Sequence, residues 1–181
     1  MTEAEPTDLG HRRAPACSWH VDLLGSACER PGLGTMVTHF DHLTIVVRDV
    51  GKAKAFFALL GFLEQQSVVI SGEQFSRYMG IPGIEAEHIT LALANATPRV
   101  EVQLLRYRHP DPIRDGDIAR LDQLGFNHVC FAVEDIEAEV RRLRANGVHL
   151  RNEIMEFHDR KLVFLTGPEG VTVELAQWLK R

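Results

Sequence analysis

Side chains with the character of metal ligands stand at matched places in two stretches of this chain. His42 lies in Phe40-Asp41-His42-Leu43, and His128 lies in Phe126-Asn127-His128-Val129. Further on, each stretch carries oxygen donors inside an aliphatic run. These are Glu101 and Gln103 among Val100, Val102 and Leu104, and Glu174 between Val173 and Leu175. Two imidazoles with one or two oxygen donors suit a divalent transition metal. Calcium and magnesium sites are built from oxygen and would not recruit two histidines. A lone histidine in a strand is usually structural. A carboxylate in a valine-rich strand is harder to dismiss, because an unpaired buried charge is costly.

The elements that must hold these residues form a repeat. His42 and His128 are 86 positions apart, and the same shift places Phe40 on Phe126, Val47 on Val133, Asp49 on Asp135 and Gly61 on Gly147. Asp41 falls on Asn127 and Leu43 on Val129. The ungapped register covers a strand, a helix N-cap, a helix and its glycine stop. In each copy the order is β-α-β-β-β. The first copy has strands over Phe40–Val47, Phe62–Ile70, His88–Ala94 and Arg99–Tyr107, with a helix after Asp49 and, at Ser71–Gly83, a Gly-containing loop with room for one helical turn. The second has strands over Phe126–Val133, Val148–Ile154, Lys161–Thr166 and Val171–Trp178, with a helix from Asp135 to Asn146.

A strand alternates its side chains between two faces. Leu43, Ile45 and Val47 share one face of the first strand; Phe40, His42, Thr44 and Val46 share the other. In the repeat, Val129, Phe131 and Val133 oppose Phe126, His128, Cys130 and Ala132. The aliphatic face suits packing under the helix of each unit. Glu101, Gln103 and Glu174 belong, like the histidines, to the opposite face. Duplication of the pattern turns isolated residues into a shared site.

With the two histidine segments, the strand endings Val102-Gln103-Leu104-Leu105 and Val173-Glu174-Leu175, and the turn Gly167-Pro168-Glu169-Gly170, the chain resembles the vicinal oxygen chelate superfamily. This is the glyoxalase, bleomycin-resistance and extradiol-dioxygenase group. The resemblance covers about residues 38–179 and is sharper for fold and metal site than for substrate. It implies an α+β fold of two tandem βαβββ modules forming an open U-shaped mixed sheet, with a metal site in the cleft. It maps the ligands onto His42, Gln103, His128 and Glu174, with Glu101 a rival for Gln103. The cofactor implied is a divalent metal ion, one of Zn, Ni, Co, Mn or Fe. Glutamine at 103 leans toward the methylmalonyl-CoA epimerase pattern, where glyoxalase I has glutamate. Glu174 and His88 are the residues that the resemblance places for proton transfer.

The activity implied is that of a metal-dependent lyase or isomerase of the glyoxalase I or methylmalonyl-CoA epimerase type. The alternatives are an extradiol-type ring-cleavage dioxygenase, for which His42, His128 and Glu174 alone would suffice, and a metal-free sequestering protein. A small-molecule substrate and a homodimer, common in the family, complete the expectation.

Composition sets the remaining bounds. The chain has 181 residues, 45% hydrophobic and 25% charged, which is ordinary for a globular protein. A net charge of −5 argues against a nucleic-acid partner, and no apolar run approaches a membrane span. Three cysteines make a poor disulfide framework, and with no secretory pattern at the start the cytoplasm is expected. The expected organisation is a poorly ordered tail over 1–36, a first module over 37–108, a linker with a short helix over 109–125, and a second module over 126–181. Cys17, His20 and Cys28 in the tail lack the paired spacing of a zinc site.

Overall fold

β-branched residues after Asp41 open the first strand of a computed structural model that describes residues 37–114 and 116–179. The expected tail, with Cys17, His20 and Cys28, lies outside the described residues. The first module runs β1 (His42–Val46), α1 (Val50–Leu59), β2 (Phe62–Ser71), α2 (Glu73–Met79), β3 (Glu85–Leu93) and β4 (Glu101–His109). The second runs β5 (Val129–Ala132), α3 (Ile136–Ala145), β6 (Met155–Phe157), β7 (Arg160–Thr166) and β8 (Thr172–Trp178). Each builds a four-stranded mixed sheet, in the order β1-β4-β3-β2 and β5-β8-β7-β6. β1 pairs parallel with β4, and β5 parallel with β8; the other pairs are antiparallel. These are the two βαβββ modules that the repeat implies.

The caps repeat as the shift requires. Asp49 Oδ1 accepts the Lys52 N–H at 2.9 Å, and Asp135 Oδ1 accepts the Ala138 N–H at 2.9 Å. Gly61 (φ 87°) and Gly147 (φ 80°) end the two helices in a left-handed conformation that a side chain would strain.

The two helices nevertheless differ. α3 is amphipathic: Ile136, Val140 and Leu143 are buried on one side, and Glu137, Glu139, Arg141 and Arg144 occupy the rest. α1 is apolar on more than one side. Its Ala53 and Phe57 are buried against Ile45, Val47, Val102 and Leu104 of the first sheet. Its Phe56, Leu59 and Leu60 pack on the core of the second module. Edge-on ring contacts extend the link, from Phe56 to Phe57 at 5.3 Å, Phe57 to Phe62 at 5.9 Å and Phe62 to Phe131 at 5.4 Å. The helix-facing sides of both sheets therefore share one core, with α1 between them. The opposite faces, which carry the histidines, point out of it.

Three expectations change. Residues 71–83 hold a two-turn helix, α2, rather than a loop alone. The linker holds a turn over 116–119 and, among the described residues, no helix. Ile113 and Leu124 are fully exposed there, so a helix would have no face to bury. The strand expected at Val148–Ile154 is reduced to one bridge between Leu150 and Leu165. There the Asn152 carboxamide oxygen takes the Phe164 N–H at 2.7 Å in place of a strand partner, and pairing resumes at β6.

Phe57→Ala should lower stability by about 3–5 kcal/mol, measured by urea denaturation. Because α1 serves both cores, the loss should appear as one transition with coincident fluorescence and circular dichroism. Two separated transitions would show that the modules unfold independently.

Candidate metal centre

The parallel pairs set the donors side by side. His42 lies opposite Glu101 and Thr44 opposite Gln103 across β1 and β4. In the second module Cys130 lies opposite Glu174 across β5 and β8. Gln103 and Glu174 are therefore equivalent positions of the duplication, and Glu101 corresponds to Thr172.

Each histidine is oriented by the residue before it. His42 Nδ1 lies 2.7 Å from Asp41 Oδ2, and His128 Nδ1 lies 2.8 Å from Asn127 Oδ1. The Asn127 amide nitrogen is committed to Leu121 O at 2.7 Å, so its oxygen must accept from the imidazole. The Asp41 carboxyl is held below the usual carboxylate range chiefly by its hydrogen bond to His42. Both rings thus donate from Nδ1, which leaves Nε2 as the atom a metal would take from a neutral ring. The sequence pairs Asp41 with Asn127 in the 86-residue register; the signal was an acceptor preceding each histidine.

Gln103 is engaged on every side. Its Oε1 lies 3.0 Å from His88 Nε2 and accepts from Thr44 Oγ1 at 3.4 Å, while its Nε2 donates to Glu101 Oε2 at 3.1 Å. The other oxygen of Glu101 takes the Arg99 Nε–H. Partial burial pushes the Glu101 carboxyl up, but the hydrogen bonds from Gln103 and Arg99, with the charge of Arg99, outweigh it and hold the group below the usual range. Glu101 has both oxygens occupied by donors in its own module. His88 donates to Gln103 through Nε2, which leaves Nδ1 as its free nitrogen.

In the second module His128 Nε2 faces Glu174 Oε2 at 3.4 Å. When the ring carries a second proton this is an ion pair; with a proton on Nδ1 alone the contact sets two acceptors against each other. Such a pair is stable only with a proton or a cation between or beside them. Glu174 is mostly buried, at 12% side-chain exposure, so water shields the repulsion poorly. Phe164 stacks edge-on against His128 at 5.2 Å and fixes the ring plane. The residues fit a divalent cation by the chemistry of the donor set.

The donors divide into two groups: His42, Glu101, Gln103 and His88 on the outward face of the first sheet, and His128 and Glu174 on that of the second. Among the described residues, no group of three or more His, Cys, Asp and Glu side chains is placed to hold a metal ion. A cavity of about 370 Å³ runs along β1, with Thr44, Val46 and Phe126 in its wall and Arg48 and Glu169 at one end. There Glu169 Oε1 accepts the Arg48 backbone N–H at 2.7 Å, tying the acidic turn of the second module to the end of β1. No helix among the described residues is long and apolar enough to cross a membrane.

Two four-stranded mixed sheets in tandem, each with a βαβββ order and a histidine on or beside its edge strand, define a class of two-module α+β proteins. The sequence profile of the Glyoxalase/Bleomycin resistance protein/Dioxygenase superfamily matches residues 41–164, and the chain belongs to that superfamily. A glyoxalase family protein of Bacillus cereus superposes with a TM-score of 0.71 at 28% identity, covering 80% of this chain and 96% of its own. A lactoylglutathione lyase of Schizosaccharomyces pombe is 21% identical over 165 residues, 88% of this chain and 52% of that enzyme. A glyoxalase I of Saccharomyces cerevisiae is 35% identical over 51 residues, 28% of this chain and 16% of that enzyme. The chain thus spans about half or less of these two relatives. A manganese-bound fosfomycin resistance protein of Listeria monocytogenes, at 16% identity and a TM-score of 0.51, covers 78% of this chain and 94% of its own and shares the fold.

Cys130 gives a direct probe of this cluster. The residue is exposed, yet desolvation of its sulfur, the hydrogen bond to Glu174 and the charge of that carboxylate push its thiol up to about 12. The lost thiolate outweighs the gain in nucleophilicity that accompanies a higher pKa. In a chain with Cys17 and Cys28 replaced by serine, metal-free Cys130 should alkylate about thirtyfold more slowly than free cysteine. Glu174→Gln should speed the reaction, followed by mass spectrometry. Alkylation at the free-thiol rate would show that Glu174 does not contact the sulfur.

Proposed function

We propose that this protein is a divalent-metal-dependent lyase or isomerase of the glyoxalase I or methylmalonyl-CoA epimerase type, moving a proton next to a carbonyl of a small-molecule substrate. The observation that carries the reading is the juxtaposition of His128 Nε2 and Glu174 Oε2 at 3.4 Å, matched by His42, whose Nδ1 is likewise held by the residue before it. His42, Gln103, His128 and Glu174 would hold the metal. A divalent cation bound there would supply Lewis-acid polarisation of the substrate carbonyl.

The chain's own residues do the rest. Asp41 and Asn127 keep both imidazoles in the coordinating tautomer. Glu174, little exposed and flanked by Phe164 and Cys130, takes the substrate proton. His88 is the second proton-holding group, through the nitrogen left free by its bond to Gln103. The cavity lined by Thr44, Val46, Ile113 and Phe126 would give the substrate an apolar wall along β1.

A homodimer, in the cytoplasm, is part of this reading. The outward direction of the two donor faces supports a site in which His42 and Gln103 of one copy meet His128 and Glu174 of another.

His128→Ala should abolish retention of metal, measured by elemental analysis, and activity with it. Both histidines must be neutral to bind, so metal affinity should fall in acid. Substrate should exchange its α-hydrogen with deuterated solvent without uptake of oxygen. Oxygen consumption on a catechol would favour the dioxygenase reading, and full activity after chelation would overturn the metal. Mixing inactive His42→Ala with inactive His128→Ala should restore about a quarter of the wild-type sites, because half the dimers are mixed and each has one intact centre. No recovery after subunit exchange would place the site within one chain.

A further inference from the structure

Among the positions where the two modules differ, one pair lies within the candidate donor set. The first carries Glu101 and Gln103; the second carries Thr172 and Glu174 at the equivalent places. Thr172 is fully buried and its hydroxyl accepts from Arg151. The additional carboxylate accompanies the amide donor, and the module whose donor is a carboxylate lacks it. Chemistry explains the pairing. A carboxylate presents the same oxygen whichever way it turns. A carboxamide has an oxygen that can coordinate and an NH₂ that cannot, and the two ends are nearly equal in size.

We propose that Glu101, itself held by Arg99, is a positioning residue that makes Gln103 an oxygen donor. The inference rests on the metal-centre reading above. A carboxylate only accepts, so the contact of 3.1 Å requires the NH₂ end of Gln103 at Glu101. Oε1 is then turned toward Thr44 and His88, on the strands either side of β4, and a cation would take the lone pair held by the longer of these contacts, Thr44 Oγ1 at 3.4 Å. His88 must answer with an Nε2–H, so the same clamp sets its tautomer. Arg99 makes the arrangement one-sided: it takes Oε1 of Glu101 and leaves Oε2 for the amide. The network runs Arg99, Glu101, Gln103, His88, with each donor facing an acceptor. It removes Glu101 from competition as a ligand, and it costs the centre no net charge because Arg99 balances it.

The test uses the full chain in two states. In the metal-free protein, the Gln103 side-chain amide signal, assigned by its loss in Gln103→Ala, should shift in Glu101→Ala and, less, in Arg99→Ala. In a cobalt(II) titration followed by absorbance, Glu101→Ala should weaken binding about 10–100-fold, as loss of an outer partner of a ligand does. Glu101→Ala combined with Gln103→Ala should bind no more weakly than Gln103→Ala alone, because Glu101 acts through Gln103. Additive losses, or loss of all binding in Glu101→Ala as in His128→Ala, would make Glu101 a ligand and overturn the proposal. An unmoved amide signal would also overturn it. Failure of the wild type to bind cobalt would sink the metal-centre reading, while the amide signal would still decide whether the clamp exists.

Discussion

Burial of α1 on two sides is the constraint from which the rest of the arrangement follows. Ala53 and Phe57 close the core of the first sheet, and Phe56, Leu59 and Leu60 reach into that of the second. Rings from Phe56 to Phe131 make the connection continuous. Close packing of this kind has few alternatives, since aromatic side chains removed from such a core leave voids that the surroundings do not fill. Once the helix sides of both sheets are committed to a common interior, the pleat of the strands decides everything on the other faces. Alternate residues must point outward, and these include every proposed donor.

The polar chemistry on those faces is organised by short-range partners rather than by long-range fields. Asp41 and Asn127 act on the ring next to them in sequence. Thr44 and Cys130 act on the donor directly across a parallel pair. The arrangement costs little chain entropy, because each contact joins groups already fixed by the ladder. Across this face His128 and Glu174 lie 3.4 Å apart, a contact that a second proton on the ring satisfies as an ion pair.

Much of this was legible in the chain before any coordinates. The 86-residue register located β1, β5, both aspartate caps and both glycine stops, because those features depend on local chemistry that a duplication copies intact. The alternation of Leu43, Ile45 and Val47 against His42 and Thr44 located the core face. What the pattern could not show was decided by partners distant in sequence. Asn152 replaces a strand partner near Leu150 through a side-chain bond to Phe164. Ile113 and Leu124 have helical spacing with the intervening residues but no surface to bury against. The double role of α1 is hidden too: an apolar helix looks the same in sequence whether one neighbour covers it or two. Gln103 was visible as a candidate, but not the Arg99–Glu101 pair that orients it, since alternation does not show which carboxylate oxygen a neighbouring cation takes and Arg99 is not repeated.

The asymmetry between α1 and α3 bears on how such a chain can be divided. α3 presents charge to its surroundings and would suit a free-standing unit. α1 would not. A first module cut away at the linker would expose Phe56, Leu59 and Leu60 to water, a contiguous apolar patch of the sort that drives association. An ancestral single module with this helix would have been stable only in company. In the tandem chain one helix is covered on two sides, while the other carries charge on its free side.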